Sequence, residues 1–253
     1  MTTLANKKIL IIGGSSGIGY GVAKAALLSR ASHVIIASSS QERVTNAIAR
    51  LNEDVEIASR ERGLATGGIL TGEVVDARNS VAVEEFMNRV GEVDHLIWSS
   101  GDGLRLGFPN INLEENRDLF DIRFWGAITA VQAAKIRPGG SITLTVGSVI
   151  VKPGQSWSMA AGLMGAVDSL ARGLAVDLAP IRVNAVCPGV VKTELWDPMP
   201  EDKRNEFYEN IAKKLLVRHV ADPDEIAEAY LFLMKCPYIT GQRIEVDGGY
   251  KFV

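Results

Sequence analysis

Ile12-Gly13-Gly14-Ser15-Ser16-Gly17-Ile18-Gly19 follows without a break on the apolar run Lys8-Ile9-Leu10-Ile11-Ile12. The run reads as a strand, Lys8 to Ile12. From about Ile18 to Ser29 the apolar positions Val22, Ala25 and Ala26 return on one face, which predicts a helix. A glycine turn between a strand and a helix suits a pyrophosphate. Glycine lets the chain turn sharply and keeps side chains off the ligand, and the helix start offers free N–H groups at its positive dipole end. Gly13, Gly17 and Gly19 are spaced G-x-x-x-G-x-G, unlike the G-x-G-x-x-G of the usual dinucleotide fingerprint. Alone, such a turn is either a tight bend or a phosphate loop; its place between strand and helix favours the second.

Working outward, short β-rich runs alternate with helical patterns. That rhythm predicts a doubly wound α/β fold, with seven parallel strands and helices on both faces. The expected strands are His33–Ala37, Glu73–Asp76, Asp94–Ser99, Ser141–Val146, Ile181–Cys187 and Gly241–Val246, after the first. The expected helices are Gln41–Asn52, Ser80–Val90, a long one over Leu113–Ile136, Met159–Leu178, Glu201–Val217 and Pro223–Lys235. Val55 to Thr71 reads as a helix end plus a loop, and Arg137-Pro138-Gly139-Gly140 as a breaker. No repeat or linker divides the chain, so residues 1–253 read as one domain.

The bulk numbers remove several function classes. With 47% hydrophobic and 23% charged residues the composition is globular, and a net charge of −3 without a basic stripe argues against nucleic acid. Met1 to Lys8 is polar, and no apolar run approaches the ~20 residues that span a bilayer, so a cytoplasmic protein off the membrane is expected. Cys187 and Cys236 lie far apart with no ligand-like spacing; they read as reduced packing thiols, with no metal site.

The glycine loop resembles the T-G-x-x-x-G-I-G of the short-chain dehydrogenase/reductase family, with Ile12 at the threonine. Asp76, followed by Ala77, matches the family aspartate that meets adenine. Arg182-Val183-Asn184-Ala185-Val186-Cys187-Pro188-Gly189-Val190-Val191-Lys192-Thr193 matches the sixth strand and the P-G-x-x-x-T turn. Ile239-Thr240-Gly241-Gln242 and Val246-Asp247-Gly248-Gly249 match the last strand. The resemblance covers nearly the whole chain. It implies a nicotinamide dinucleotide held by Gly13, Ser15, Ser16, Gly17, Ile18, Gly19, Asp76, Ala77, Ser99, Ser100, Gly101, Pro188, Gly189, Val191 and Thr193. It also implies a homodimer or homotetramer, through the helices near Leu113–Ile136 and Met159–Leu178.

The end of the second strand chooses the cofactor. An acid there would hold the ribose 2′-hydroxyl and repel a 2′-phosphate; this chain has Ala37-Ser38-Ser39-Ser40 with Arg43 beyond. Ser38, Ser39 and Arg43 suit a phosphate, which favours NADP(H) over NAD, although the family's usual basic residues at Ser16 and Ser39 are missing. The serines also suit a helix cap, and both roles can hold together.

The family's catalytic positions are altered. Ser148 stands at the carbonyl-polarising serine, but Arg123 replaces the asparagine, and counting back along the helix puts Ala160 at the tyrosine and Met164 at the lysine. No tyrosine occurs between Tyr20 and Tyr208, so the loss does not depend on the alignment. Trp98-Ser99-Ser100-Gly101 replaces N-N-A-G. Arg123 reads either as an anchor for a substrate anion or as half of an ion pair with Asp121 or another acid. Trp157 reads as a substrate wall or as loop packing. The segment 195–215 falls at the family's substrate lid, with Trp196 as cover or core. Asp102 and Arg105 are either ligand contacts or solvated loop charges.

Without a proton relay, ordinary carbonyl reduction lacks its acid. Some family members of fungal alkaloid biosynthesis have lost the same residues and reduce iminium ions or assist cycloaddition, and this chain is similar in its pattern of losses. Three functions follow: an NADPH-dependent reductase acting on an activated C=N or C=O bond of a small, natural-product-like substrate; a cyclase that keeps the nucleotide and works by orientation; or a catalytically dead subunit that binds a partner.

Overall fold

Along β1 (Lys8–Ile12), Leu10 and Ile12 point into one hydrophobic layer and Ile9 and Ile11 into another. A strand that is apolar on both faces must be covered on both, and this sets the architecture. The computed structural model describes residues 3–63 and 67–253. After β1 come β2 (His33–Ser38), β3 (Ile69–Val74), β4 (Glu92–Trp98), β5 (Lys135–Thr145), β6 (Arg182–Pro188) and β7 (Arg243–Val246). They form one parallel seven-stranded sheet in the order β3-β2-β1-β4-β5-β6-β7.

One face is covered by α1 (Gly17–Leu28), α2 (Gln41–Arg62) and α7 (Pro223–Lys235); the other by α3 (Ser80–Val90), α4 (Ala127–Ala133) and α5 (Ser158–Asp177). The remaining helix, α6 (Glu201–Lys214), buries no residue and stands off the core. The strand order reverses between β1 and β4, so the connections leave in opposite directions and open a crevice at the carboxyl ends of the strands.

Several expected boundaries are corrected. The second helix does not stop at Asn52: Ala47, Leu51 and Val55 carry its buried stripe onward to Arg62, and Gly63 ends it at φ +62°. The third strand begins at Ile69 rather than Glu73, which leaves Asp76 beyond its end; Gly72 makes the close packing possible, since a Cβ there would lie 2.3 Å from Val44 Cγ1. The loop expected over 55–71 is therefore mostly regular structure, with residues 64–66 outside the described ones.

The long helix expected over Leu113–Ile136 is not formed. In its place stand a short turn at Glu114–Asn116, a π-helical segment at Asp121–Gly126, and α4, whose C-cap Ala134 is already extended. The breaker Arg137–Gly140 is instead an irregularity inside β5. Lys135 and Ile136 pair with Glu92 and Val93, the register shifts, and Ser141 resumes pairing with His95. Gly139 turns at φ +81°, and Gly140 lies so near Asp94 O that a Cβ would meet it at 2.2 Å. By length and composition α5 suffices to cross a bilayer, which the sequence reading did not expect. Its apolar side, with Leu163, Val167 and Ala171, packs on the sheet.

Asp94 ties this end of the sheet. Its buried carboxylate accepts from Lys7 Nζ at 2.9 Å, Lys8 N at 2.9 Å and Arg137 Nη1 at 3.1 Å. Burial alone would raise its pKa, but the Lys8 hydrogen bond and the cations outweigh burial and hold the carboxyl below its ordinary value. Its contribution is complete above about pH 5 and fades as pH falls through the folded-state pKa. Asp94→Asn is expected to cost about 1.5–3 kcal/mol near neutrality. In urea unfolding the gap between it and the wild type should narrow in acid; a gap that does not change with pH would contradict this account.

Candidate active site

The crevice is a cleft of about 730 Å³ that runs from the glycine loop across the ends of β1, β4, β5 and β6 to the α6 segment. At its first end the backbone itself makes the surface. Gly13 sits at φ +92°, and a Cβ there would come within 2.5 Å of Ser100 N; at Gly19 it would come within 2.2 Å of Gly13 O. The turn therefore needs glycine for conformation at one position and for space at both. Ser99 Oγ lies 3.3 Å from Ile12 O and 3.2 Å from Gly13 O, so a hydroxyl braces β4 against β1 where the sequence had left the packing in doubt.

These residues fit a dinucleotide. Gly17 N–H donates to Glu194 Oε2 at 2.8 Å, so a carboxylate already occupies the loop donor that a phosphate oxygen would use. Ser15 Oγ donates to Ser38 Oγ at 2.9 Å, and Arg43 Nη2 to Ser39 Oγ at 2.8 Å, which lines up hydroxyls and a guanidinium at the β2 end. Ser40, one residue on, accepts from Arg43 N at 3.4 Å and caps α2, so capping and a phosphate-facing array coexist. Asp76 accepts from Arg78 N at 3.0 Å in the turn just past β3.

All the residues expected at the cofactor line this one cleft: Gly13, Ser15, Ser16, Gly17, Ile18, Gly19, Ser38, Ser39, Arg43, Asp76, Ala77, Ser99, Ser100, Gly101, Pro188, Gly189, Val191 and Thr193. The cleft also takes in Ser148, Arg123, Trp157, Trp196 and Asp102. Their surroundings differ. Asp102 is engaged by Arg78 Nη2 at 2.5 Å, and Arg105 is paired with Asp118, so the loop acids and cations answer one another. Trp196 donates from Nε1 to Val191 O at 3.0 Å and stacks on Phe207 of α6 at 4.8 Å between ring centroids, which ties the segment at 195–215 to the strand exit. Trp157 precedes α5 and lies against Gly154.

Arg123 is carried in by the π-helical segment, an element often found at functional sites. Its guanidinium lies flat on Gly101, where a Cβ would sit 2.0 Å from Cζ. It donates once, from Nη2 to Asp102 O at 2.9 Å. Among the described residues no carboxylate pairs with it, so the Asp121 partnership is not formed. Burial pushes its pKa below the usual guanidinium value, with Asp102 and Tyr230 opposing.

No tyrosine–lysine pair stands at the α5 positions: Ala160 and Met164 are buried in the apolar layer at 1% and 3% exposure. Tyr208 and Lys192 line a separate surface groove beside α1. Tyr230 is fully buried and its hydroxyl lies 2.7 Å from Thr145 Oγ1. Since Thr145 spends its own proton on Trp98 O at 2.8 Å, Tyr230 must donate to Thr145, and the chain ends on a carbonyl.

The sequence reading missed Lys152 and Tyr250, both on the cleft. Lys152 lies in the turn after Ser148, with its N–H on Ser148 O at 3.0 Å; its Nζ is 3.4 Å from Tyr250 O and 5.1 Å from the Tyr250 ring centroid. It faces ring and carbonyl, and no hydrogen bond joins it to the Tyr250 hydroxyl. Lys152 was within reach of sequence reading, four residues past Ser148. Tyr250, from the C-terminal turn, gave no signal.

Known proteins resemble the chain along nearly its whole length. The family model for an SDR-like Rossmann domain matches residues 1–253. The short-chain dehydrogenase/reductase fsr5 of Gibberella fujikuroi is 34% identical over 98% of this chain and 96% of its own. Among solved structures, the MalC reductase/Diels-Alderase of Malbranchea aurantiaca superimposes with a TM-score of 0.87 at 28% identity, covering 98% of this chain and 97% of that one. A small-chain dehydrogenase in complex with NADPH follows at 0.77 and 28%, covering 98% and 100%.

Gly13→Ala is expected to cost about 1–2 kcal/mol through the left-handed backbone alone. It should lower the Tm and weaken NADPH binding together. A variant with normal Tm and normal NADPH titration would show that the loop does not depend on the close approach to Ser100.

Proposed function

Because the chain belongs to the short-chain dehydrogenase/reductase family, and so to its oxidoreductases, we propose that it is an NADP(H)-dependent reductase with a non-standard site, reducing an activated C=N or C=O bond of a small substrate. The observation that carries this reading is one continuous cleft that joins the glycine loop to Ser148 and Arg123, while Ala160 and Met164 fill the tyrosine and lysine positions.

When bound, the nicotinamide supplies a hydride to the substrate carbon. Around it, the chain's own groups bind and orient. The Gly13–Gly19 loop and the N-terminus of α1 hold the pyrophosphate, with Glu194 displaced from Gly17 N–H. Ser38, Ser39 and Arg43 take the 2′-phosphate. Ser148 donates its O–H to the polarised substrate atom, and Arg123 fixes the substrate with the N–H groups that Asp102 O leaves free. Trp157 and Trp196 exclude water. Ala160 and Met164 cannot transfer a proton, so the substrate must be one that hydride addition neutralises or whose product charge the site holds. A homo-oligomer in the cytoplasm belongs to the same proposal, its contact face at α5 and at α4 with the π-helical segment before it, where Val176 and Trp125 are exposed.

The likeness to a reductase that is also a Diels-Alderase supports a second reading, cyclisation by orientation in the same cleft. Titration of NADPH against tryptophan fluorescence should saturate; no saturable binding rejects both readings. Arg43→Ala should weaken NADPH about 10–100-fold, the loss of charge-assisted hydrogen bonds, and leave NADH nearly unchanged. Stopped-flow NADPH oxidation with ketones and cyclic iminium ions then separates them: oxidation supports the reductase, and product without oxidation supports the cyclase.

A further inference from the structure

Arg123 and Lys152 share a property that the reading above does not use. Both line the cleft, and among the described residues neither has a carboxylate within ion-pair distance. The acids on the same cleft are engaged elsewhere. Asp102 holds Arg78, Asp76 holds the Arg78 backbone N–H, and Glu194 sits on Gly17. Arg43 lies at the β2 end with Ser39, and Arg78, just past β3, holds Asp76 and reaches over to the Asp102 carboxylate beside Arg123.

The two cations stand over neighbouring strand exits. Arg123 covers Gly101, just past β4, and Lys152 follows Ser148, just past β5, with β4 and β5 paired. Each has donors to spare. A guanidinium has five N–H groups and an ammonium three, whereas Arg123 makes one hydrogen bond and Lys152 one long one. Packing on Gly101 explains why Arg123 is held in place. It does not explain two cations, neither in an ion pair among the described residues, on the cleft that Ser148 lines.

We propose that this end of the cleft takes a substrate carrying negative charge, a carboxylate or an acidic enol beside the reducible carbonyl, and rejects a cationic iminium. The inference rests on the reductase reading for the word reducible alone; the charge preference belongs to the cleft whatever chemistry follows. A carboxylate between Arg123 and Lys152 converts free donors into charge-assisted hydrogen bonds. An iminium at the same place meets two like charges, and the neighbouring Asp102 carboxylate is already taken by Arg78. Of the two bond types left open above, the electrostatics favour C=O: the two cations would stabilise the alkoxide that hydride addition leaves, and solvent water would then supply its proton.

The test is equilibrium binding to the full-length protein saturated with NADP+, by calorimetry, using para-acetylbenzoate, its methyl ester and N-methyl-dihydroisoquinolinium. The acid should bind about ten-fold or more tighter than the ester, the worth of a charge-assisted hydrogen bond, and the iminium weakest of all. Lys152→Gln should bring the acid-to-ester ratio close to one. Arg123→Gln should do the same, and an NADP+ titration reports whether each variant is folded. Ester or iminium binding as tight as the acid, no measurable binding of the acid, or a ratio that survives in both variants overturns the proposal. If the acid preference holds while no probe oxidises NADPH, the reductase reading falls and this inference stands.

Discussion

Where β1 gives way to α1, main chain meets main chain: the Gly13 turn lies against Ser99 and Ser100 so closely that no side chain fits between them. The rest of the site depends on that approach. It lets β1 and β4 end at one level, brings the N-terminus of α1 to the mouth of the crevice, and lets Ser99 Oγ bridge to Ile12 O and Gly13 O. Glycine at Gly19 and Gly101 extends the same device, first for the loop and then for the guanidinium of Arg123. Three positions without side chains thus let the β1 exit, the β4 exit and Arg123 pack into one wall of the cleft.

Electrostatics divide that wall. At one end stand the loop N–H groups, the serines and Arg43. At the other, Arg123 and Lys152 form no ion pair among the described residues, and Ala160 and Met164 lie in the apolar layer. A partly buried cation without a partner is costly, and burial already disfavours charge on Arg123. Such an arrangement is sustained by a fold whose other contacts over-determine it. Here these are the π-helical segment, the Gly101 surface and the Asp102 carbonyl.

The α4 region shows how local pattern and tertiary demand part company. Apolar residues at helical spacing from Leu113 to Ile136 argue for one long helix, and each turn taken alone supports it. The chain instead spends Asp121–Gly126 on a wider turn, with Gly126 set so close to Ala77 O that a Cβ would come to 2.3 Å. It then gives Lys135 and Ile136 to β5, because Glu92 and Val93 of β4 need partners. Ladder hydrogen bonds between distant residues outweighed a propensity worth tenths of a kcal/mol per residue.

Strand–glycine–helix order and alternating apolar runs are local properties, written in consecutive residues, and from them the parallel fold and the place of the glycine turn could be read. What needed three dimensions was every relation between distant segments. Asp102 answers Arg78; Arg123 has a glycine for a floor and no ion-pair partner among the described residues; Lys152 meets Tyr250 from the far end of the chain. Charge pairing depends on distances of a few ångströms between residues tens or hundreds of positions apart, and no spacing along the chain encodes them.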